Sequence, residues 1–554
     1  MRRRTGIAAF ATFMTAAGVL AATAAGAATA HASTTTTSTA DGSRPAGYFP
    51  GQTRLIPGDL LVSTSYYRND PNIVAGTTEL PPGCTTGCAT AIANGSYPQV
   101  FNNDSVDASF GVTSPLYLEE ITQSGFPQDV IPVPTSELTT SFSSKSEGAL
   151  NLSTDGKSVT FMDYVAAPDT VDASNANTPG AIDPTNPVPG AYYRAVAQLS
   201  ADGRFTFTET NAYSGNNGRA AVEANVDGQS VYYTAGNAGN GSNPQPTGVI
   251  LGAGTQIITP STLPEADQTV GQPTPVGSFN VTELGDKADK VGKDDNFRGL
   301  TLYNNVLYYT KGSGSNGVDT VYFLDTTGTA CPDGVGLPVA GAKLPTSGIE
   351  STLTSAGLAS NMCILKGFPT ALAKAATDAS DYPFGLWFAN PTTLYVADEG
   401  AGDDTYANGS YTAAAASTTA GLQKWVYSAT AGAWQLAYTL QNGLNLGTPY
   451  NVFGYPTGIN SVTGLPWAPA TDGLRNLTGK VNPNGTVSIW AVTSTVSGGG
   501  DQGADPNKLV EITDQLDATT PASWEQFHTV IPALYDQVVR GVSFTPGTDL
   551  GDNR

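Results

Sequence analysis

Four of the ten arginines that follow residue 32 stand at one repeated position: Arg219, Arg298, Arg475 and Arg540. Each opens a short apolar run, in GRAAV from Gly218, FRGLTL from Phe297, LRNLT from Leu474 and VRGVSF from Val539. Two weaker copies, SEGALNL from Ser146 and PFGLWF from Pro383, put Glu147 and Phe384 in the equivalent place. A guanidinium is a planar fork of donors that fits a carboxylate or a phosphate. Several of them brought together repel one another unless anions offset them. The nearby anions are Asp295 and Asp472, three residues before Arg298 and Arg475, Asp536, four before Arg540, and Glu147 itself. Two readings stay open. Each Arg pairs with an acid and staples the structure, or the set leaves donors unsatisfied and binds an anionic group.

Other chemistry is scarce. Besides His31 the only histidine is His528, in the alternating stretch WEQFHTV, which reads as an outer strand. A Ser-His-Asp triad, a multi-His metal site or a His base would depend on that one residue. The four cysteines favour disulfides, with Cys84–Cys88 and Cys331–Cys363 as the expected local pairs. Calcium could be held by oxygen ligands such as Asp398, Glu399, Asp403 and Asp404, or Asp501 and Asp505, although none has the spacing of a known calcium loop. Solvated loop acids are the plainer reading.

The elements that position these residues are strands. The chain has 554 residues, 63 Gly, 37 Pro and a net charge of −22 with only 13% charged residues. That composition fits an extracellular all-β protein with many turns. Its acidity argues against nucleic acid as a partner. Residues 1–32 read as a signal peptide, with Arg2, Arg3 and Arg4 before an Ala-rich stretch and Ala30-His31-Ala32 as the cleavage site. Residues 33–53 form a Ser/Thr-rich flexible lead-in, and 54–554 form one domain. The expected product is secreted, with no membrane insertion after cleavage, and a monomer.

From Leu55 onward short alternating strands, punctuated by Asp-Gly and Asn-Gly turns, sort into groups of four. Five groups are complete. The sixth is split, with RGVSFT near the C-terminus as its first strand and GDLLVSTSYY, PLYLEEIT and DVIPVP near the N-terminus as the others. A sheet built from both ends closes a circular array and removes its edges. The expected fold is a β-propeller of six four-stranded blades. A seventh blade is the alternative, because 84–110 and 450–469 are long and poorly patterned.

On this rhythm and its shared blade, the chain resembles the secreted bacterial six-bladed β-propellers as a class. In such a fold the first strand of each blade lines a central channel. The repeated position would then form a ring at one channel mouth. The candidate ligand-binding residues are Glu147, Arg219, Asp295, Asn296, Arg298, Asp472, Arg475, Asn476 and Arg540. Tyr66, Tyr67, Tyr382, Trp387, Tyr406 and Trp467 lie near the same face, to stack on sugars or to pack between blades.

Three functions are compatible with this arrangement. The first is a small anionic molecule or a glycan bound at the loop face. The resemblance also implies a calcium-dependent hydrolase of lactones or phosphoesters, with Asp295, Asn296, Asp472 and Asn476 around the ion. A quinone-dependent dehydrogenase is the third, and it lacks the expected His base.

Overall fold

The computed structural model describes residues 54–550, apart from segments 68–73, 81–88, 91–111, 238–253, 266–281, 284–285, 288–295, 315–316, 347–361, 374–380 and 500–501 and single positions 75, 78, 143, 145, 171, 185, 187 and 189. The leader and lead-in, Cys84, Cys88, Asp295, Asp501 and most of the expected fourth strand of the second blade lie outside the described residues.

Six antiparallel sheets form a six-bladed β-propeller. Blade one is Asn151–Leu152, Ser158–Tyr164, Arg194–Ser200 and Phe205–Thr210. The described part of blade two is Gly218–Val226, Gln229–Gly236 and Thr255–Ile258. Blade three is Leu300–Tyr303, Val306–Lys311, Thr320–Leu324 and Met362–Leu365, extended by a short parallel strand at Val335–Gly336. Blade four is Pro383–Asn390, Thr393–Asp398, Gly421–Ser428 and Ala433–Leu440. Blade five is Ala470–Val481, Thr486–Val496, Leu509–Gln515 and His528–Ile531. Blade six joins Gln537–Phe544 to Leu60–Tyr66, Leu116–Ile121 and Pro127–Pro132. The expected split blade is therefore present, and His528 begins an exposed outermost strand. The segment 450–469 builds no seventh sheet. Its Val452 and Tyr455 pack instead with Tyr67, Phe142 and Val538.

Each blade interface has its own apolar cluster, because alternate residues of every strand point to opposite faces. Met162, Val196, Ala221 and Tyr232 join blades one and two. Val222, Tyr233, Leu300 and Tyr309 join two and three. Phe323, Cys363, Phe388 and Trp425 join three and four. Leu422, Leu440, Ile489 and Ile512 join four and five, Trp490, Val492, Val542 and Phe544 join five and six, and Leu61, Leu118, Val159 and Phe161 join six and one. Cys331 and Cys363 form the expected disulfide and tie a long loop to the fourth strand of blade three.

The inner strands also touch one another. Ala149 bridges to Ala220, and Arg219 donates 2.7 Å to the Phe297 carbonyl. A Cβ on Gly299 would meet the Phe384 carbonyl at 2.3 Å, one on Gly385 the Arg475 carbonyl at 2.5 Å, and one on Gly541 the Leu150 nitrogen at 2.6 Å. The Val542 N–H donates to Asn476 Oδ1 at 2.7 Å. Every joint of the ring is thus a backbone approach or a buried hydrogen bond. Every inner strand contributes at least one residue, among them Leu152, Val222, Thr301, Trp387, Thr478 and Ser543, to the lining of a single cavity.

Asn507 secures the junction of blades five and six. Its buried amide donates to the Thr493 and Val539 carbonyls, both at 2.9 Å, and accepts from the Val539 N–H at 2.8 Å. Asn507→Ala leaves buried backbone groups unpaired, and should lower unfolding free energy by about 2–4 kcal/mol in a denaturant titration.

Candidate functional site

The repeated position coincides with a break in strand register. In blade two, Gly218 and Ala220 pair with Gly236 and Ala235, so Arg219 has no opposite. In blade six, Val539 and Gly541 pair with Thr64 and Ser63, which leaves Arg540 over. Register shifts also enclose Phe384 and Arg475. In blade three the Arg298 N–H and the Gly299 carbonyl both bond Thr310. An extra residue in one strand bends it and re-aims a side chain. The bulges turn the ring residues out of the plain alternation, and three residues further on the inner strands line the cavity described above. At about 3.3 Å per residue that offset is roughly 10 Å along the channel.

The ring residues of blades one, two and three form one connected network. Glu147 accepts from Ser144, from the Tyr164 hydroxyl and, at 2.9 Å, from Asn217 Nδ2. Asn217 Oδ1 accepts from Arg219 at 3.3 Å. Arg219 also reaches Asn296 Oδ1 at 2.5 Å, and Asn296 donates to the Ser313 carbonyl at 3.2 Å. Arg298 bonds the hydroxyls of Ser146 and Ser313. Blades four and five join through Glu399, 3.8 Å from Arg298 Nε and 3.4 Å from Arg475 Nε.

Burial shapes the electrostatics. It pulls the Arg219 guanidinium down to about 9, helped by the charge of Arg298. Arg475 is lowered by burial, with Glu399 opposing. Arg540 donates to Ser65 Oγ at 2.9 Å and to the carbonyls of Ser141, Phe142 and Ser144. Beside it, Asp163 is fully buried, and desolvation together with the Glu147 charge pushes its carboxyl well above the usual range.

Arg475 takes its ion pair from the adjacent blade, from Glu399, and Asp472 adds its charge from nearby. Asp472 Oδ2 accepts the Gly402 N–H at 2.7 Å, and Asn476 is committed to the joint between blades five and six. Of the four residues expected around calcium, Asn296 sits with Arg219, and Asp295 lies outside the described residues. Among the described residues, the one group of three metal-type side chains is Asp325 with the disulfide-bonded Cys331 and Cys363.

Asp398, Glu399 and Asp505 are buried, a correction to the expectation of solvated loop acids, whereas Asp403 and Asp404 are exposed. Tyr67 packs on Phe142 and Trp467 edge-on to Tyr455, so these two aromatics serve packing.

Sequence reasoning missed Ser144, Ser146, Tyr164, Asn217 and Ser313 as network members, and Arg194. Arg194 is fully buried and donates to the carbonyls of Ser174, Ala176, Tyr192 and Asn216. Asn217, two residues before a ring arginine, and Ser146, directly before Glu147, carried a positional signal.

No family model matches the chain, and no curated protein matches it in sequence. Among solved structures it is similar to a polysaccharide lyase, Ulvanlyase, bound to -[GlcA(1-4)Rha3S]-, at 11% identity over 82% of this chain and 96% of that one, with a TM-score of 0.28. It is also similar to the hemagglutinin-neuraminidase of parainfluenza virus 5 with the ligand DANA, at 11% identity over 80% and 86%, TM-score 0.26. The third is an ACO/RPE65 chimera, at 9% identity over 89% and 94%, TM-score 0.30. The fold assignment rests on the six sheets, not on these likenesses. No helix among the described residues is long and apolar enough to cross a membrane.

Asp398 makes the ring sensitive to pH. Burial lifts its carboxyl from 3.8 to about 8, against hydrogen bonds from the Tyr382 and Gly400 N–H groups. The folded chain then holds a proton that the unfolded chain releases, so stability falls as pH rises from the unfolded value through the folded one. Glu120, raised to about 7 by burial, acts in the same direction. Unfolding free energy should decline between about pH 4 and about pH 8, and Asp398→Asn should remove on the order of a few kcal/mol of that decline in denaturant titrations.

Proposed function

We propose that this chain is an exported ligand-binding propeller whose channel mouth holds an anionic group, a carboxylate, sulfate or phosphate such as an acidic sugar carries. One observation carries this reading. Arg219 and Arg298 adjoin as like charges, and neither Nε is hydrogen-bonded. Among the described residues, the one carboxylate within 4 Å of Arg298 is Glu399, which Arg475 shares at a shorter distance. Hydroxyls of Ser146 and Ser313 flank the Arg298 fork. The Arg298 side chain keeps 12% exposure. A fork shared between neutral hydroxyls and one long ion pair is a better anion receptor than one closed by a bidentate carboxylate.

Titration calorimetry with uronic-acid, sulfated and neutral oligosaccharides and with inorganic phosphate tests the reading. Binding is expected with anionic ligands, weakening as salt rises. Arg298→Ala should reduce affinity at least tenfold while shifting the melting temperature little. Equal binding of neutral sugars, or unchanged anion affinity in the variant, would sink the proposal.

A further inference from the structure

A second cluster of charged groups lies between blades four and five, away from the ring. In blade four Lys424 stands directly opposite Tyr395 on one side and Tyr438 on the other. Opposite residues of antiparallel strands project to the same face, so the three form one row, Tyr-Lys-Tyr. That face packs on blade five, where Tyr395 and Tyr438 join Val487, Ile489 and Ile512 in one apolar cluster.

Asp514 enters the row from blade five. Lys424 Nζ lies 3.0 Å from Asp514 Oδ2, and both side chains are completely buried. The Tyr395 and Tyr438 hydroxyls donate to the same carboxylate. Nζ also lies 2.9 Å from the Tyr438 hydroxyl and 2.6 Å from the Gln515 carbonyl, with the two ring centroids 5.8 and 5.1 Å away. A second buried acid, Glu525, touches Asp514 and receives the N–H groups of Gln515 at 3.2 Å and Ala522 at 2.8 Å. Burial and the Asp514 charge push the Glu525 carboxyl upward, toward the form that carries a proton.

We propose that this is a self-modifying site, in which Lys424 Nζ and Asp514 Cγ join in an intramolecular amide with Glu525 relaying the protons. The reaction starts from an uncharged amine beside a carboxylic acid, reached when one proton passes from nitrogen to oxygen across the 3.0 Å contact. The amine lone pair attacks Cγ and the N–C bond forms. Glu525 gives its proton to the departing Asp514 oxygen, the C–O bond breaks, and water leaves. The Glu525 carboxylate takes back the proton that nitrogen sheds. One amine and one acid yield one amide and one water, so no oxidant or cofactor enters. Contact at 3.0 Å supplies the proximity that gives intramolecular reactions effective molarities on the order of 10⁵–10⁸ M. The product is a covalent tie across the interface of two neighbouring blades.

Peptide mass spectrometry of the purified, folded full-length protein, digested with trypsin after denaturation, tests it. The expected result is no cleavage after Lys424, together with a branched peptide joining the Lys424 and Asp514 segments, lighter than their sum by one water. Asp514→Ala should restore cleavage after Lys424. Glu525→Gln should leave the two segments unlinked in a chain that still shows β-sheet circular dichroism. Two separate, unmodified peptides from the wild-type protein would overturn the proposal and leave an ordinary buried ion pair. A linked Glu525→Gln chain would overturn the part given to Glu525. The wild-type digest decides the bond itself, whether or not a variant folds.

Discussion

The narrow channel is the constraint on which the rest of this structure depends. Six inner strands must converge closely enough that a Cβ at Gly299, Gly385 or Gly541 would run into the next strand's backbone. Two consequences follow at adjacent positions. The residue that touches its neighbour must be small, so glycine or alanine recurs after the ring position in five of the six copies, Asn476 being the exception. The residue before it has no room in plain alternation, and the strand takes a bulge or register shift there in blades two to six. Closure depends on the pairing of Leu60–Tyr66 with Gln537–Phe544, which needs the two ends of the domain together. Such long-range pairing makes a slow, cooperative fold the expectation.

The arginines answer a problem that this convergence creates. Bulges and channel-mouth loops expose carbonyls where no further strand can pair with them. An unpaired buried carbonyl is costly, and Arg offers five donors on one planar group. Arg540 serves three carbonyls, Arg219 serves one, and Arg194, one layer out, serves four. Concentrating cations there is tolerable in a chain of net charge −22, because Glu147, Glu399 and Asp472 come with them.

Most of the fold was legible. Strand alternation, Asp-Gly and Asn-Gly turns and the orphan strands at the two ends specified six blades and the shared one, since these are local patterns with direct geometric meaning. Gly156, Gly203, Gly228 and Gly485 all have the positive φ that such turns demand. The site was legible as a set of positions and illegible as a set of partners. Arg219, Arg298, Arg475 and Arg540 were visible because the phrase repeats. Their partners come from neighbouring blades and from loops, 76 residues away for Arg475 with Glu399 and 152 for Arg298 with Ser146. No local spacing rule encodes such contacts, so the spacing alone left each arginine's partner open. Lys424, Asp514 and Glu525 carried no signal, since a charged residue inside an apolar strand pattern marks a site only when its partner is known.

Stapling and binding need not exclude each other, because equivalent positions have diverged in what surrounds them. Arg540 faces carbonyls at the closure joint, where losing its donors would strand backbone groups in the interior. Arg298 faces two hydroxyls and shares a carboxylate, and both kinds of partner can turn toward water or toward a ligand at smaller cost. The Phe384 side chain has no donor, yet the residue's carbonyl still receives the Thr310 hydroxyl at the same joint. The ring position is thus first a structural device repeated by geometry. Recognition can arise only at the copies whose partners are not backbone. By that criterion Arg298, with Arg219 beside it, is where a ligand could compete, and Arg540 is where the fold could least spare its guanidinium.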